Sequence, residues 1–368
     1  MKVKEIEVFK VVVPVDIEAV YSKEYLTGPY SAPEEKPPFY EIPKYIFKVY
    51  TSDGLVGFGE SLRGISIESV REGVRGLKGV EIDDLNLNDL PINEDLYVGL
   101  EAAIFDIVGK QHGMPVYKLL GGAYRKSVYV NFWTHRRTPE DLAKRAIIAK
   151  NKGFDGMKIK CKLGDPMVER AKAVEEAVGP DFYLILDPNE RFYNPAETIK
   201  LMRKLERFNI LLLESPVPQW NLDWYALLRR KLDVPIAIHV SQTSPRAKGK
   251  YQVIEAIKKE AIDYLNISGG LVEFVKLAAI AEAAGIQVWH GSGVDLGILD
   301  ASYVHAAAAT PNCTLPSDIV GNFIREDDLI KEPLKFEGGR VKVPDKPGLG
   351  VELDEKALEK YTVQKITV

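Results

Sequence analysis

Two acidic residues and two lysines stand at the ends of short apolar stretches. Asp187 and Glu214 each end an apolar run long enough for a strand buried on both faces, and the strand-like stretch one unit earlier carries Lys158 and Lys160. In a barrel of parallel strands, the residues at the carboxyl ends of successive strands point into one mouth, so these four side chains should converge. Carboxylate oxygens suit a hard cation such as Mg²⁺, and lysines beside it suit proton transfer. The plainer alternative is that both acids form salt bridges inside the mouth, with Lys158 as their partner.

The chain from Val128 onwards alternates short apolar strands with helical stretches, which is typical of a parallel α/β fold. Eight such units within roughly 200 residues indicate a TIM-type (β/α) barrel rather than an open sheet. The expected strands are Val128–Trp133, Gly156–Ile159, Tyr183–Leu186, Ile210–Leu213, Pro235–Ile238, Ile262–Ile267, Gln287–Trp289 and Thr314–Leu315.

The segments on either side of the barrel pattern read differently. A strand over residues 2–13 is followed by a hairpin with Asp53-Gly54 at its turn and by two amphipathic helical stretches, and a second hairpin turns at Gly338-Gly339. These features predict a separate α+β unit outside the barrel. The stretch from Tyr21 to Tyr40 is rich in Pro, Tyr and Gly, and it fits either a lid or a pinned surface loop.

Composition excludes several classes of protein. The 368 residues carry a net charge of −4, with no basic, aromatic-interleaved stripe for nucleic acid. Two cysteines, Cys161 and Cys313, rule out a disulfide framework and favour a reducing compartment. No apolar run approaches the roughly 20 residues that span a bilayer, and the N-terminus lacks a signal-peptide pattern. We therefore expect a cytoplasmic protein with no nucleic-acid or membrane partner.

The charged motifs also carry a family resemblance. Lys158-x-Lys160, Asp187-x-Asn189 and Glu214-Ser-Pro, in this order, resemble the second, third and fourth barrel strands of the enolase superfamily. The similarity is greatest to its mandelate racemase and muconate lactonizing enzyme branch, and it runs from the first hairpin to about residue 350. It implies an N-terminal α+β capping domain (1–124), a catalytic (β/α) barrel (125–330) and a C-terminal tail (331–368) that packs back on the capping domain. It also implies a homo-oligomer.

The resemblance implies a metal centre, with one departure from the family pattern. Asp187 and Glu214 correspond to two metal ligands, but the third position, normally an acid at the end of the fifth strand, holds His239. Imidazole suits Mg²⁺ less well than a carboxylate does, so Mn²⁺ and Zn²⁺ are open alternatives, and His239 is either a ligand or a buried structural residue. Lys160 corresponds to the catalytic base and Lys158 to a positioning charge, and we expect the two ammonium groups to lower each other's pKa.

The sixth and seventh strands depart further. The lysine or aspartate that relatives carry after the sixth strand is missing, because the chain runs from Asn266 and Ser268 directly into Gly269-Gly270. His290 closes the seventh strand, and we interpret it as a catalytic acid. Four further residues are expected to contact substrate or support the ligands: Asn189, Asp295, Tyr21 and Tyr25.

These groups favour chemistry at the carbon next to a carboxylate. One base, Lys160, with His290 as the only other strong candidate, favours β-elimination, so we predict dehydration of a sugar acid to a 2-keto-3-deoxy acid. The alternatives are a racemase or epimerase, a muconate-type cycloisomerase, a Schiff-base aldolase, or a homologue that binds an acid without converting it. In each case the partner is a small-molecule carboxylate, and the loops Tyr21–Tyr40 and Ser61–Gly64 are expected to select it.

Overall fold

The computed structural model describes residues 1–27, 39–241 and 249–367. The expected Tyr21–Tyr40 lid lies partly outside these residues. The strands are β1 (Val3–Pro14), β2 (Glu41–Thr51), β3 (Val56–Glu60), β4 (Ser127–Tyr129), β5 (Phe132–Thr134), β6 (Gly156–Lys160), β7 (Tyr183–Asp187), β8 (Ile210–Glu214), β9 (Ile236–Ser241), β10 (Tyr264–Ser268), β11 (Gln287–His290), β12 (Phe336–Glu337), β13 (Arg340–Lys342) and β14 (Thr362–Thr367).

The helices are α1 (Ile17–Val20), α2 (Lys23–Thr27), α3 (Ile67–Leu77), α4 (Tyr97–Gln111), α5 (Val116–Leu119), α6 (Pro139–Asn151), α7 (Met167–Val178), α8 (Pro195–Leu205), α9 (Leu222–Lys231), α10 (Gly249–Lys258), α11 (Leu271–Ala283), α12 (Gly297–Ala308) and α13 (Glu355–Tyr361). Short 3₁₀ turns occupy Ile82–Asp84, Glu94–Leu96 and Gly321–Phe323. Within the described ranges, no helix has both the length and the apolar character needed to cross a membrane.

The first strands form an antiparallel sheet in the order β14-β1-β2-β3. Strand β1 alternates buried and more exposed positions along most of its length, so one face of the sheet packs on a core that includes α4. Strand β14 comes from the end of the chain and pairs antiparallel with β1, from Glu7 opposite Thr367 to Val11 opposite Thr362. The tail therefore returns to the N-terminal sheet.

The central sheet is parallel and curled, with the order β11-β10-β9-β8-β7-β6-β5. Its strands present two apolar faces, as expected for a sheet covered by helices. Residues such as Ile185, Leu212 and Trp289 pack together on the inner side, while their chain neighbours join the large core shared with the helices. The inner side is therefore the one on which residues of different strands can meet.

Two of the expected strands differ in the structure. The first expected strand is divided, because β4 pairs with β13 of the tail while β5 joins the parallel sheet. The eighth, Thr314–Leu315, is not a strand. Prolines at 311 and 316 remove two backbone donors, so this segment makes only isolated bridges. The segment is nevertheless bonded to strands on both sides of it: Ser317 N donates to Tyr129 O of β4 (2.8 Å), and Asp318 N donates to His290 O of β11 (2.7 Å).

Two glutamates of the N-terminal region cap helices that flank the central sheet. Glu60 accepts hydrogen bonds from Leu296 N (2.7 Å) and Leu299 N (3.0 Å) at the start of α12. Glu101 accepts bonds from the first two residues of α11, and a Cβ at Gly270 would lie 2.1 Å from its Oε2 atom. Neither helix is capped by the side chain of its own N-cap residue. A carboxylate at a helix N-terminus satisfies otherwise free N–H groups and complements the helix dipole.

Candidate active site

The predicted convergence of acids and lysines occurs at the carboxyl edge of the central sheet. Asp187 and Glu214 end neighbouring strands, and both are buried. The Lys158 Nζ atom lies 3.2 Å from Asp187 Oδ2 and 2.7 Å from Glu214 Oε2. Lys160, two residues further along β6, forms an ion pair with the same Asp187 Oδ2 atom. Alternation along β6 thus places both lysines on the inner side, and the salt bridges considered from the sequence are present.

Lys160 is the more accessible of the two lysines. Its side chain is 17% exposed, whereas that of Lys158 is 3% exposed. Burial opposes the charged form of Lys158, but Asp318, Glu214 and Asp187 outweigh it and raise the pKa of Lys158 well above its ordinary value. The expectation that the neighbouring lysine lowers this pKa is therefore wrong, because three carboxylates surround the ammonium group. A permanently charged Lys158 is unsuited to Schiff-base formation.

Sequence reasoning missed Asp318. Its Oδ2 atom lies 2.7 Å from Lys158 Nζ and accepts a hydrogen bond from Asn266 Nδ2 (3.2 Å), while its Oδ1 atom accepts one from Asn131 Nδ2 (3.0 Å). Asp318 comes after the predicted Thr314–Leu315 strand, much as Asp187 stands at the end of the apolar run in β7. This position after an apolar segment could have identified Asp318 from the sequence, although Pro316 and Ser317 separate the acid from the apolar residues.

His239 lies between Glu214 and Ser268, the last residue of β10. Its Nε2 atom lies 2.7 Å from Ser268 Oγ, and its Nδ1 atom lies 3.7 Å from Glu214 Oε1. Burial, reinforced by the charge of Lys158, lowers the pKa of His239 to about 4, so the ring is neutral near pH 7. A Cβ at Gly291 would lie 2.4 Å from Ser268 Oγ and 2.9 Å from His239 Nε2, so glycine leaves the space in which this pair meets.

The electrostatics of the two strand-end acids differ. Burial favours the neutral form of Asp187, but Lys160 and Lys158 hold its pKa well below the ordinary value. Burial and the charge of Asp187 raise the pKa of Glu214 to about 7, against the opposing effect of Lys158. Together with Asp318, these two acids surround only two lysines, Lys158 and Lys160. The centre therefore contains fewer positive side chains than acidic ones.

Asn189 supports the first of these acids. Its backbone N and side-chain Nδ2 both donate to Asp187 Oδ1, at 3.1 and 2.9 Å. Its φ of 46° places it in the left-handed region, which asparagine tolerates better than most residues. This conformation lets one residue bond the carboxylate twice.

The structure does not bring His290 into this group, which corrects its assignment as a catalytic acid. Trp289 faces the inner side, so the next residue, His290, faces the helices, where its ring is stacked between Phe274 (4.4 Å) and Tyr303 (4.0 Å). The ring is fully buried, its Nδ1 bonds Gly291 O (2.6 Å), and burial lowers its pKa to about 4. The side chain has no route to a solute at the carboxyl edge.

Asp295 also makes its contacts in the protein interior. It forms an ion pair with Lys44 of β2 and accepts a bond from Tyr303 Oη (3.1 Å), and Lys44 lies 3.1 Å from Glu60. All these groups are buried. Asp295 therefore joins the N-terminal sheet to the segment before α12 rather than facing a substrate.

The two tyrosines expected to contact substrate have different surroundings. Tyr21 packs on His135, with ring centroids 4.5 Å apart, and burial together with the charge of Lys160 lowers the pKa of His135 well below its ordinary value. Tyr21 thus packs on a buried ring that senses the charge of Lys160, and no contact with a substrate follows from this. Tyr25 accepts a hydrogen bond from the buried Arg170 and lies under Arg136 (4.6 Å), so it anchors α2 to a buried arginine cluster.

The donor set at the edge fits a divalent cation in charge and chemistry. Glu214 and Asp187 are carboxylates, the buried Asn266 Oδ1 atom has no hydrogen-bond partner among the described residues, and a deficit of positive charge is present. In the described part of the chain, however, no three His, Cys, Asp or Glu side chains are already arranged around one point. The ammonium group of Lys158 lies between the two acids instead.

Comparison with known proteins agrees with this geometry. A family model described as Enolase C-terminal domain-like matches residues 140–357. The N-succinyl-L-Arg/Lys racemase of Bacillus cereus is 30% identical over 346 residues, covering 88% of this chain and 91% of the racemase. Arabinonate dehydratase of Saccharolobus solfataricus is 29% identical (85% and 89% covered), and muconate cycloisomerase 1 of Rhodococcus opacus is 27% identical (87% and 91%).

Solved structures give the same result. The racemase crystal structure superposes with a TM-score of 0.83 at 28% identity, with all of both chains covered. A dipeptide epimerase of Enterococcus faecalis, crystallised with Mg and the dipeptide L-Leu-L-Tyr, has the same fold (TM-score 0.80, 24% identity, 96% and 100% covered). The chain belongs to the enolase superfamily, within its mandelate racemase and muconate lactonizing enzyme family.

Proposed function

We propose that the protein is an isomerase that moves a proton at the carbon next to a carboxylate of a small molecule. The observation that carries this proposal is the position of Lys160, a partly exposed lysine at the carboxyl edge, ion-paired with a carboxylate of the buried acidic centre. Proton abstraction requires a base in reach of solute and an electrostatic centre beside it. We also infer that the curled sheet is the family's TIM-type barrel and that the N-terminal sheet caps it.

Asp187, Glu214 and His239 would hold a divalent cation at this edge, and we propose Mg²⁺. When bound, such an ion supplies positive charge to the substrate carboxylate as negative charge develops on it. The comparisons give no support for Mn²⁺ or Zn²⁺. Among the chain's own residues, Lys160 takes the proton, Asn189 holds Asp187 in place, and the buried Lys158, together with Lys160, keeps Asp187 ionised.

Isomerisation fits this edge better than the dehydration predicted from the sequence. Dehydration needs an acid aimed at the leaving hydroxyl, and the residue assigned to that role, His290, faces the helices. Two of the three relatives described above are isomerases, while one is a dehydratase. Dehydration is therefore not the main proposal.

The sixth strand bears on the type of isomerisation. The chain runs from Ser268 directly into Gly269-Gly270 without the lysine or aspartate that the family resemblance leads us to expect. Lys160 is then the one strong base that we assign, and a one-base cycloisomerisation is the first candidate. The second candidate is racemisation, favoured by the Ser268 hydroxyl and His239, which form a bonded pair on another strand of the same edge. Racemisation needs a proton carrier on each face of the substrate.

Hydrogen exchange tests the proposal directly. Purified protein with Mg²⁺ in D₂O is incubated with muconate, N-succinyl-L-arginine or arabinonate, and the products are followed by NMR. We expect deuterium incorporation next to the carboxylate or conversion to an isomer. Lys160→Met should reduce the rate by roughly 10²–10⁴-fold, the usual contribution of a positioned base. Lys162→Met, one alternation further along the chain, serves as the matched control.

The other outcomes each have a definite meaning. Unchanged exchange in Lys160→Met would refute the role of that lysine. Release of a keto acid from arabinonate would restore dehydration. Saturable binding of an acid without exchange would indicate a non-catalytic binding protein.

A further inference from the structure

Lys158 is enclosed by carboxylates to an unusual degree. Its Nζ atom lies 2.7 Å from Glu214 Oε2, 2.7 Å from Asp318 Oδ2 and 3.2 Å from Asp187 Oδ2, and its side chain is 3% exposed. A buried ammonium group costs several kcal/mol of desolvation unless it is well paired, and here the ends of β7 and β8 and the segment that contains Asp318 supply the pairing. The lysine is therefore an integral part of the centre.

The position of this ammonium group conflicts with a bound metal ion. Asp187 Oδ1 already accepts two hydrogen bonds from Asn189, and Glu214 Oε1 accepts one from Asn266 Nδ2. Because Mg²⁺ lies about 2.0–2.1 Å from its oxygen ligands, an ion held by both acids would compete with Lys158 for the oxygens that the ammonium group now contacts. Two cations cannot use the same pair of oxygens at such distances without strong repulsion. The third contact, with Asp318, leaves the lysine a carboxylate that is not among the proposed ligands.

We propose that Lys158 is the built-in cation of this centre, and that a divalent ion binds only by displacing its ammonium group towards Asp318. The inference rests on the cation site of the proposed function and adds a competitor to it. The protein should then hold its divalent ion weakly.

Binding of Mn²⁺ to the full-length protein tests this without any substrate. Free Mn²⁺ is measured by electron paramagnetic resonance for the wild type, Lys158→Met and Lys160→Met. Removing the competitor should tighten binding by at least about tenfold in Lys158→Met, as expected for loss of a close like-charged neighbour. Lys160 contacts one ligand from the accessible side, so Lys160→Met should have a smaller effect.

Lys158→Met changes both the net charge of the centre and the space beside the two acids, so the effects of these two changes on Mn²⁺ affinity have to be separated. The double variant Lys158→Met/Asp318→Asn keeps the net charge of the wild type and also avoids leaving three unpaired buried carboxylates, so it is the variant to rely on if Lys158→Met fails to fold. We expect it to bind Mn²⁺ at least about tenfold more tightly than the wild type, because the oxygens of Asp187 and Glu214 are released.

Two results would overturn the inference, and they differ from a failure of the proposed function. Wild-type affinity in the double variant would show that Lys158 does not occupy the ion's place. Tight binding by the wild type, unchanged in Lys158→Met, would show the same while leaving the metal site intact. If neither the wild type nor any variant binds Mn²⁺, the cation site itself is refuted, and the displacement inference falls with it.

Discussion

His239 Nε2 lies 2.7 Å from Ser268 Oγ, so two polar residues near the ends of neighbouring strands are bonded to each other. The family resemblance leads us to expect an acid at the position of His239 and a lysine or aspartate after the strand that ends in Ser268. The register of β9 and β10 places His239 opposite Asn266 and brings Ser268 next to it. The two departures that the resemblance indicates therefore lie side by side at one hydrogen-bonded pair.

The pair leads to a prediction about metal affinity. His239→Asp restores a charged oxygen donor and should tighten Mg²⁺ binding by about tenfold, whereas His239→Ala should weaken it. Titration calorimetry on the purified variants measures both. Ser268→Ala removes only the hydroxyl and should leave the affinity within about fivefold, since a neutral hydrogen bond contributes about 1 kcal/mol. Equal Mg²⁺ affinity in His239→Ala and the wild type would exclude His239 as a ligand.

Replacing His290 should have little effect on turnover. The ring is enclosed by Phe274 and Tyr303, so His290→Gln, which can still donate to Gly291 O, should retain kcat/KM within about threefold. A general acid would cost roughly 10²–10⁴-fold on removal, so the two interpretations are well separated. Steady-state kinetics on whichever substrate shows exchange gives the answer, and a hundredfold loss with unchanged thermal stability would return His290 to the reaction.

Glu101 should make the protein less stable as the pH rises. Burial raises the pKa of Glu101 to about 8, although Val272 N and Leu271 N oppose this by bonding the charged form. The folded state therefore holds a proton that the unfolded chain releases near its model value of 4.5. The contribution of Glu101 is complete below that value and is lost as the pH rises towards 8, by up to about 1.4 kcal/mol per pH unit.

Chemical denaturation between pH 5 and pH 8 measures this slope against Glu101→Gln, which cannot ionise and should flatten it. Glu282→Gln, an exposed acid near the other end of α11, is the control. A slope that is identical in the wild type and Glu101→Gln would show that Glu101 is ionised throughout.

The parts of the site that could be predicted are those set by strand periodicity. Asp187 and Glu214 end long apolar runs, so their burial and their convergence with Lys158 follow from the pattern of a parallel sheet. The assignment of His290 to the site was wrong because Trp289, its neighbour on the four-residue strand β11, faces the inner side of the sheet. A shift of one residue moves every side chain of a strand to the opposite face, and an apolar pattern of four residues is too short to fix that choice.

Asp318 was missed, and the pairing of Asp295 could not be predicted, for another reason. The segment before Asp318 contains prolines and forms bridges rather than a strand, so the position of the acid after an apolar segment was the one sequence signal for it. Asp295 is paired with Lys44, 251 residues earlier in the chain, and nothing local distinguishes it from a surface acid. The Thr314–Leu315 prediction located the correct segment but assigned it a regular ladder that its prolines prevent.

The caps that Glu60 and Glu101 place on α12 and α11 make the central region incomplete without the residues before it. The matched family region, 140–357, includes both helices but neither glutamate. A truncated chain beginning near residue 125 would expose the free N–H groups of two helix ends and leave Asp295 without Lys44. A fragment that keeps these contacts has to include β2, β3 and α4, so the central region shares its helix caps and one buried ion pair with the residues before it.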